Sequence, residues 1–324
     1  MGGLTDQNFI EPFNAIINRF SQLDLLAENP PLLAHYTSVK ALEGILSLEE
    51  IWFSNPLFMN DLQEMRFGLN QGARLFSNAH LLRKAAGTEA RAAIVERTFW
   101  QYYQNFDDQD AFDTYVFCLS EHDRSNTDGL LSMWRAYGQQ GDVACLVFDT
   151  AKLTMVPKSP FLIAKVSYGS DKDRLSQLQE LLQQWAQILE GTALPDEKLH
   201  LASHCAFSAK KTFALTTKHS GFSEEAEWRV IFHPERDTTG ALKEFLGYHI
   251  GDRGVEPKLK YPVGHMPNIS APDLSLDRLL DKIILGPSLS SPLAKRSVQR
   301  MLEKINRANF VGRLHTSGIP IRPV

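Results

Sequence analysis

Two apolar runs, "TYVFCLS" at 114–120 and "VACLVFD" at 143–149, limit what this chain can fold into more than any other feature. Each is short and rich in β-branched and aromatic residues, and each therefore predicts a strand. Shorter runs, "LLAHYT", "IWFS", "FLIAKVSYG", "EAEWRVIFH", "LKEFLGYHI" and "DKIILGP", predict further strands. Helical periodicity fills the spaces between them. Phe9, Phe13, Ile16, Ile17 and Phe20 predict an N-terminal helix over 8–27 that "ENPP" stops, and Leu42, Ile45 and Leu46 line a helix capped by Thr37 or Ser38. Two charged helices are expected between 62 and 106, a short one in "TDGLLSMWRAYG", a helical insert at about 171–217 and a last helix at about 291–306. Strands and helices do not alternate regularly. The expected fold is therefore α+β, with a largely antiparallel central sheet and flanking helices. No repeat or linker divides the chain, so 1–324 reads as one elaborated domain, with the polar stretch 251–272 as a surface loop or lid.

The bulk properties exclude more than they assign. A formal charge of -4 over 324 residues provides no general attraction for nucleic acid. Cys118, Cys145 and Cys205 are odd in number and scattered, which predicts reduced, mostly buried thiols. The start, "MGGLTDQNFIEPF", lacks a signal peptide's basic end and apolar run, and no stretch is long enough for a membrane span. A cytoplasmic protein without a membrane partner is expected. There is no Walker loop, no G-x-G-x-x-G after a strand and no G-x-S-x-G elbow. His200 and His204 are four apart beside Cys205, but the glutamate of H-E-x-x-H is missing, so no metal is expected. Asp107, Asp108 and Asp110 read as a solvated loop, and Lys210, Lys211, Lys218 and His219 as a modest basic run.

The candidate chemistry gathers at element ends. His35 closes an apolar strand just before two hydroxyls. It is either a buried histidine bonded to a neighbouring carbonyl or a donor aimed into a cleft at a ribose or amide oxygen. Strand alternation puts Glu227 and Arg229 on one face and Trp228 and Val230 on the other, as a cross-strand ion pair or as an oriented carboxylate. Ser120 ends "YVFCLS". Arg135 follows on a short helix and could fork onto a pyrophosphate, although an exposed helix face explains it as well. Asn60, Asp61 and Glu64 read as a helix start.

Taken together, His35–Ser38, Gly44–Leu46, Ile51–Pro56, Phe58–Glu64, Phe117–Glu121, Leu131–Gly138, Val143–Asp149, Glu225–Val230 and Lys282–Pro287 resemble a bacterial family of unknown function. A weaker resemblance is to the histidine-type ADP-ribosyltransferases, through "HYT" at His35, Tyr36 and Thr37, a hydroxyl at Ser120 and a late acid at Glu227. That resemblance implies an ADP-ribosyltransferase-like fold and NAD as the substrate. It also implies nucleic acid or protein as acceptor, and a setting in toxins or antiphage defence. Glu227, His35 and Ser120 would be catalytic. His35, Tyr36, Thr37, Trp52, Ser54 and Arg135 would bind NAD, with Tyr36 or Trp52 stacking on nicotinamide. Ser54 competes with Ser120, and Glu64, Glu224 and Glu225 compete with Glu227. The alternative is a non-catalytic module that binds a nucleotide or peptide on the same scaffold. A metal-dependent nuclease built on Asp61 and Glu64 ranks last.

Overall fold

The computed structural model describes residues 6–20, 23–59, 62–106, 113–137, 142–156, 159–237, 239–251 and 254–320. Where one helix was expected over 8–27 there are two, α1 (Asp6–Asn18) and α2 (Leu23–Glu28). Strand β1 (Leu32–Ser38), helix α3 (Val39–Leu48) and strand β2 (Glu50–Ser54) follow. Ser38 provides the cap: its Oγ accepts from Ala41 N–H at 3.1 Å. Three helices, α4 (Leu62–Phe76), α5 (Ala79–Ala86) and α6 (Glu89–Asn105), replace the expected two. The extra break is local. Asn78 caps α5 and Gly87 ends it at φ 84°, a left-handed conformation that glycine adopts without strain.

Next come β3 (Tyr115–His122), α7 (Leu131–Tyr137), β4 (Val143–Asp149), β5 (Phe161–Lys165) and β6 (Ser167–Gly169). The insert is a helix pair, α8 (Asp171–Gly191) and α9 (Leu199–Thr216), followed by β7 (Thr217–His219) and β8 (Glu227–Phe232). Strands β9 (Leu246–Gly251) and β10 (Gly254–Pro262) form an antiparallel pair, so the first part of the expected loop or lid over 251–272 is a strand. Glu256, Lys258 and Lys260 made that segment look solvated, yet they alternate with Val255, Pro257, Leu259 and Tyr261, which is the period of a strand. The chain ends with α10 (Leu276–Leu279), β11 (Leu280–Leu285), α11 (Pro292–Lys304) and β12 (Leu314–Thr316), the last pairing parallel to β11.

One domain was expected; the chain forms two compact units, each discontinuous in sequence. The first gathers 1–22, 55–114 and 164–223, and the second 23–54, 115–163 and 224–324. The insert helices pack with α1, α4, α5 and α6, so they build a helical unit with those segments.

The second unit holds the large sheet, in the order β12-β11-β4-β1-β3-β2-β10-β9, with β8 also on β3 and β5 on β8. The β11–β12 pair is parallel, whereas β1–β3, β1–β4, β2–β10, β9–β10, β4–β11, β2–β3 and β3–β8 are antiparallel, as expected. Residues opposite one another across an antiparallel pair share a face. One face carries Leu33, Phe53, Phe117, Leu146, Trp228 and Leu259 and packs against Leu42 and Leu46 of α3 and Val298 and Leu302 of α11. The other face is apolar under α7, where Ala34, Tyr36, Cys145 and Val147 meet Met133 and Trp134. It turns polar across β3, β8, β2 and β10.

The helical unit is built on close approach. A Cβ on Gly68 of α4 would lie 2.7 Å from the Cβ of Ala214 on α9, and one on Gly72 would overlap the stem of Lys210. Lys210 is fully buried, with its Nζ 4.4 Å from the ring centre of Tyr103, 4.5 Å from Phe99 and 5.3 Å from Phe207. Among the described residues no hydrogen-bond acceptor reaches that Nζ. Burial pushes the amine from its ordinary 10.5 down to about 7, with the ring faces as a partial substitute for water. Because the unfolded chain binds this proton more tightly, stability should rise with pH between about 7 and 10.5, by about 1.4 kcal/mol per pH unit. We predict that Lys210→Met removes this slope and raises stability at pH 7, as read by urea unfolding across that range. A wild-type profile already flat above pH 7 would refute the amine's depression.

Candidate functional site

The polar face begins with a register. In the β3–β8 pair Ser120 lies opposite Glu227 and Cys118 opposite Arg229, so all four share a face. Ser54 of β2 pairs with Val116 and joins them, and Lys258 and Lys260 of β10 lie opposite Ser54 and Trp52. Alternation then adds Glu256. The face therefore combines three acids (Glu227, Glu256 and Glu50), an arginine, two lysines, two hydroxyls and an indole on four strands of one unit.

Glu227 and Arg229 form a forked ion pair: Arg229 Nε donates to Oε1 at 2.8 Å, and a terminal nitrogen donates to Oε2 at 3.0 Å. Both residues are 4 % exposed. The pair holds the carboxylate in one orientation, as two parallel charge-assisted bonds do. Immediately before it, Ala226 has φ 41°, a left-handed conformation that costs a residue with a Cβ about 1–2 kcal/mol. Its carbonyl accepts from Glu121 N–H at 2.9 Å, extending the β3–β8 ladder to the strained residue. Further along the face, Lys258 Nζ donates to Ser54 Oγ at 2.9 Å and lies 3.1 Å from Glu256 Oε2. Lys260 Nζ sits 4.5 Å over the Trp52 ring, whose Nε1 donates to Glu50 at 3.1 Å.

His35 lies on the opposite face. Ala34 is the residue opposite Ser120, so His35 points with Leu33 towards Phe117, ring centre to ring centre 4.5 Å. Its Nδ1 donates to the Cys118 carbonyl at 3.0 Å. Burial lowers its proton affinity, with that bond a smaller opposing effect, so the ring is neutral at pH 7. Thr37 shares its face, paired with Ala144. Tyr36 is buried beneath α7, edge-on to Trp134 at 4.8 Å, and its hydroxyl accepts from Leu130 N–H at 2.8 Å. Arg135 is exposed on α7. Glu224 is exposed and Glu225 half-buried in the turn before β8, whereas Glu64 belongs to α4 of the helical unit. Asn60, Asp61 and Asp107–Asp110 lie outside the described residues. His200 bonds the Glu197 carbonyl at 2.8 Å and His204 packs against Tyr102. Among the described residues no three His, Cys, Asp or Glu side chains gather as a metal site, and no helix is long and apolar enough to cross a membrane.

The structure thus puts Glu227, Ser120, Ser54 and Trp52 on one face and His35 and Thr37 on the other, while Tyr36 shares the first face but lies beneath α7. Sequence reasoning missed Glu256, Lys258 and Lys260 because it read their strand as a loop. Their alternation with apolar residues was the signal that could have found them.

Two outcomes follow. Arg229→Met leaves a buried carboxylate short of its forked partner and should cost about 3–5 kcal/mol, with Glu227→Gln/Arg229→Met costing clearly less. Urea unfolding of the two single variants and the double variant measures the coupling, and additive effects would dissolve the pair. For His35, the unfolded ring takes a proton near 6.5 while the folded ring resists it, so stability should fall as pH drops through 6.5. His35→Asn, which keeps a donor for the carbonyl, should weaken that fall relative to wild type between pH 7 and 5.

No curated protein and no solved structure matches the chain. One family model does match, over residues 133–230, from α7 through the helix pair to Glu227 and Arg229. It leaves out His35, Ser54 and Ser120 and carries no activity. By that stretch the chain is similar to a family described as "Protein of unknown function (DUF2971)".

Proposed function

We propose that the polar face of the sheet unit is the site of an NAD-cleaving, ADP-ribosyltransferase-like reaction, with Glu227 as its carboxylate. The observation that carries the reading is the register placing Ser120 directly opposite an arginine-clamped Glu227. In such a reaction the bond from ribose C1′ to the nicotinamide nitrogen breaks, and its electron pair leaves with nicotinamide. Positive charge grows on the ribose, as in glycoside cleavage. Water or a nucleophile of a protein or nucleic acid then adds at C1′ and gives up its proton. A fixed carboxylate that accepts from the ribose 2′-hydroxyl binds more tightly as that charge grows, so it lowers the barrier rather than merely holding substrate. Ser120 offers a hydroxyl beside it. Trp52, half-buried on the same face, offers a ring to a planar base. The reading gives His35 no contact with substrate; His35 acts through the sheet as a positioning residue.

A second reading has its own support. Glu227 is nearly inaccessible and its carboxylate is already occupied by Arg229. A non-catalytic nucleotide- or peptide-binding module on the same scaffold would use the Ser54–Lys258 and Trp52–Lys260 end of the face instead.

Nicotinamide release from NAD by the purified chain, with and without protein and nucleic-acid acceptors, separates the two. The first reading expects release that falls about 10²- to 10³-fold in Glu227→Gln, with Ser120→Ala intermediate and circular dichroism unchanged. Absence of release from the folded wild type under every condition overturns it. Binding of NAD that survives Glu227→Gln but weakens in Lys258→Ala would then select the module.

A further inference from the structure

On the apolar face of the same unit lies a cavity of about 160 Å³. Its inner wall is the pleated sheet itself, with Phe53 of β2, Phe117 of β3, Phe161 of β5 and Tyr261 of β10. The four rings form one cluster. Phe53 lies 5.3 Å from Phe161, 5.6 Å from Phe117 and 6.2 Å from Tyr261, and Phe161 lies 5.1 Å from Tyr261. The outer wall comes from the segments after β4 and β10, where Leu153, Met155, Val156 and Leu274 are all partly exposed. The cavity therefore runs from an aromatic floor, in which Phe53, Phe117 and Tyr261 are buried and Phe161 is half-buried, to apolar lips in contact with solvent. Met155 provides a lip that can adapt in shape.

The polar groups on its wall are engaged with the protein itself. Thr150 Oγ1 donates to the Pro31 carbonyl at 2.6 Å, Ser159 Oγ to Ile269 at 3.1 Å and Ser270 Oγ to Gly264 at 2.6 Å. Thr154 bonds Asp273 at 3.4 Å. Among the described lining residues Asp149 carries a carboxyl group, and Arg124 at 3.4 Å and Lys152 at 3.7 Å already face it. An anionic guest would find no cationic side chain among those residues, and a cationic one only this carboxyl group with its two partners. An apolar guest would find four ring faces and edges.

We propose that this cavity is a binding site for a small uncharged apolar molecule. Its size is that of one aromatic ring or a chain of roughly six to eight carbons, since a cavity of about 150 Å³ accepts benzene. The proposal is independent of the polar-face reading. Both use β2, β3, β8 and β10, but from opposite faces, and neither needs the other to hold.

The test uses the full chain with toluene and indole as uncharged probes and octanoate as the charged one. Thermal unfolding and saturation-transfer NMR give the readouts. Toluene or indole should bind saturably and raise the unfolding midpoint with concentration, as any ligand selective for the folded state does, and octanoate should not. Val230→Trp and Ala271→Leu add bulk to the wall and should weaken toluene binding at least tenfold without lowering the midpoint of the free protein. If Val230→Trp does not fold, Ala271→Leu carries the comparison alone. No saturable binding of either uncharged probe, or binding that both filled variants leave unchanged, overturns the proposal. Octanoate binding as tightly as toluene overturns its restriction to uncharged guests.

Discussion

The sheet unit depends on how β3 divides its backbone among three neighbours. Strand β8 runs along one edge over its length, from Tyr115 to Ser120. The other edge is shared: β1 pairs at Ser120, Glu121 and His122, while β2 pairs at Val116. Cys118 falls between the two ladders, and the His35 imidazole donates to its carbonyl there at 3.0 Å. At this point the sheet forks into one wing of β1, β4, β11 and β12 and another of β2, β10 and β9. A histidine suits the position because it is neutral at pH 7 when buried and still has one N–H to give.

The period of two then decides what can meet what. On β3, Phe117 and Leu119 face the aromatic cavity side while Cys118 and Ser120 face the polar side, and β8 divides Trp228 and Val230 from Glu227 and Arg229 in the same way. His35 falls on the apolar side because Ala34, its neighbour, is the residue opposite Ser120. Moving His35 to the polar face would require a one-residue slip of β1, which would also turn Leu33 out of the core and Tyr36 away from Trp134. The register thus puts His35 on the apolar face and Glu227 and Ser120 opposite one another on the polar face.

The strands β3, β4, β8 and β11 were legible because apolar runs of that length and composition have few other uses. The α8–α9 pair and α11 were legible from their helical period and breaks. Strand β10 was not, because its charged residues outweigh a half-buried alternation when no pairing partner is known. The division into two units was not legible either. Nothing local marks the crossings near Ser54, Thr114, Ile163 and Ser223, since the decision lies in which faces pack together over long separations. At the site, parity along β8 put Glu227 and Arg229 on one face correctly, but parity within single strands cannot relate β1 to β8. Only the cross-strand register does, and it puts His35 and Thr37 on the face opposite Glu227 while Tyr36 shares Glu227's face beneath α7.

The polar face is costly where it could have been cheap. Under α7 the same side of the sheet is covered by Ala34, Cys145 and Val147 against Met133 and Trp134, an ordinary apolar contact. Across β8 it carries instead a buried carboxylate and guanidinium, a pairing that well-packed apolar residues commonly match or exceed in stability. The alanine leading into that strand is held at a backbone angle that disfavours any residue with a Cβ. Desolvated charge and local strain meet at one strand entrance, next to a buried hydroxyl. Neither feature is needed to close the core, which the opposite face closes with Trp228, Val230 and Phe232. A buried ion pair and a strained backbone angle at one strand entrance fit the reading proposed for this face.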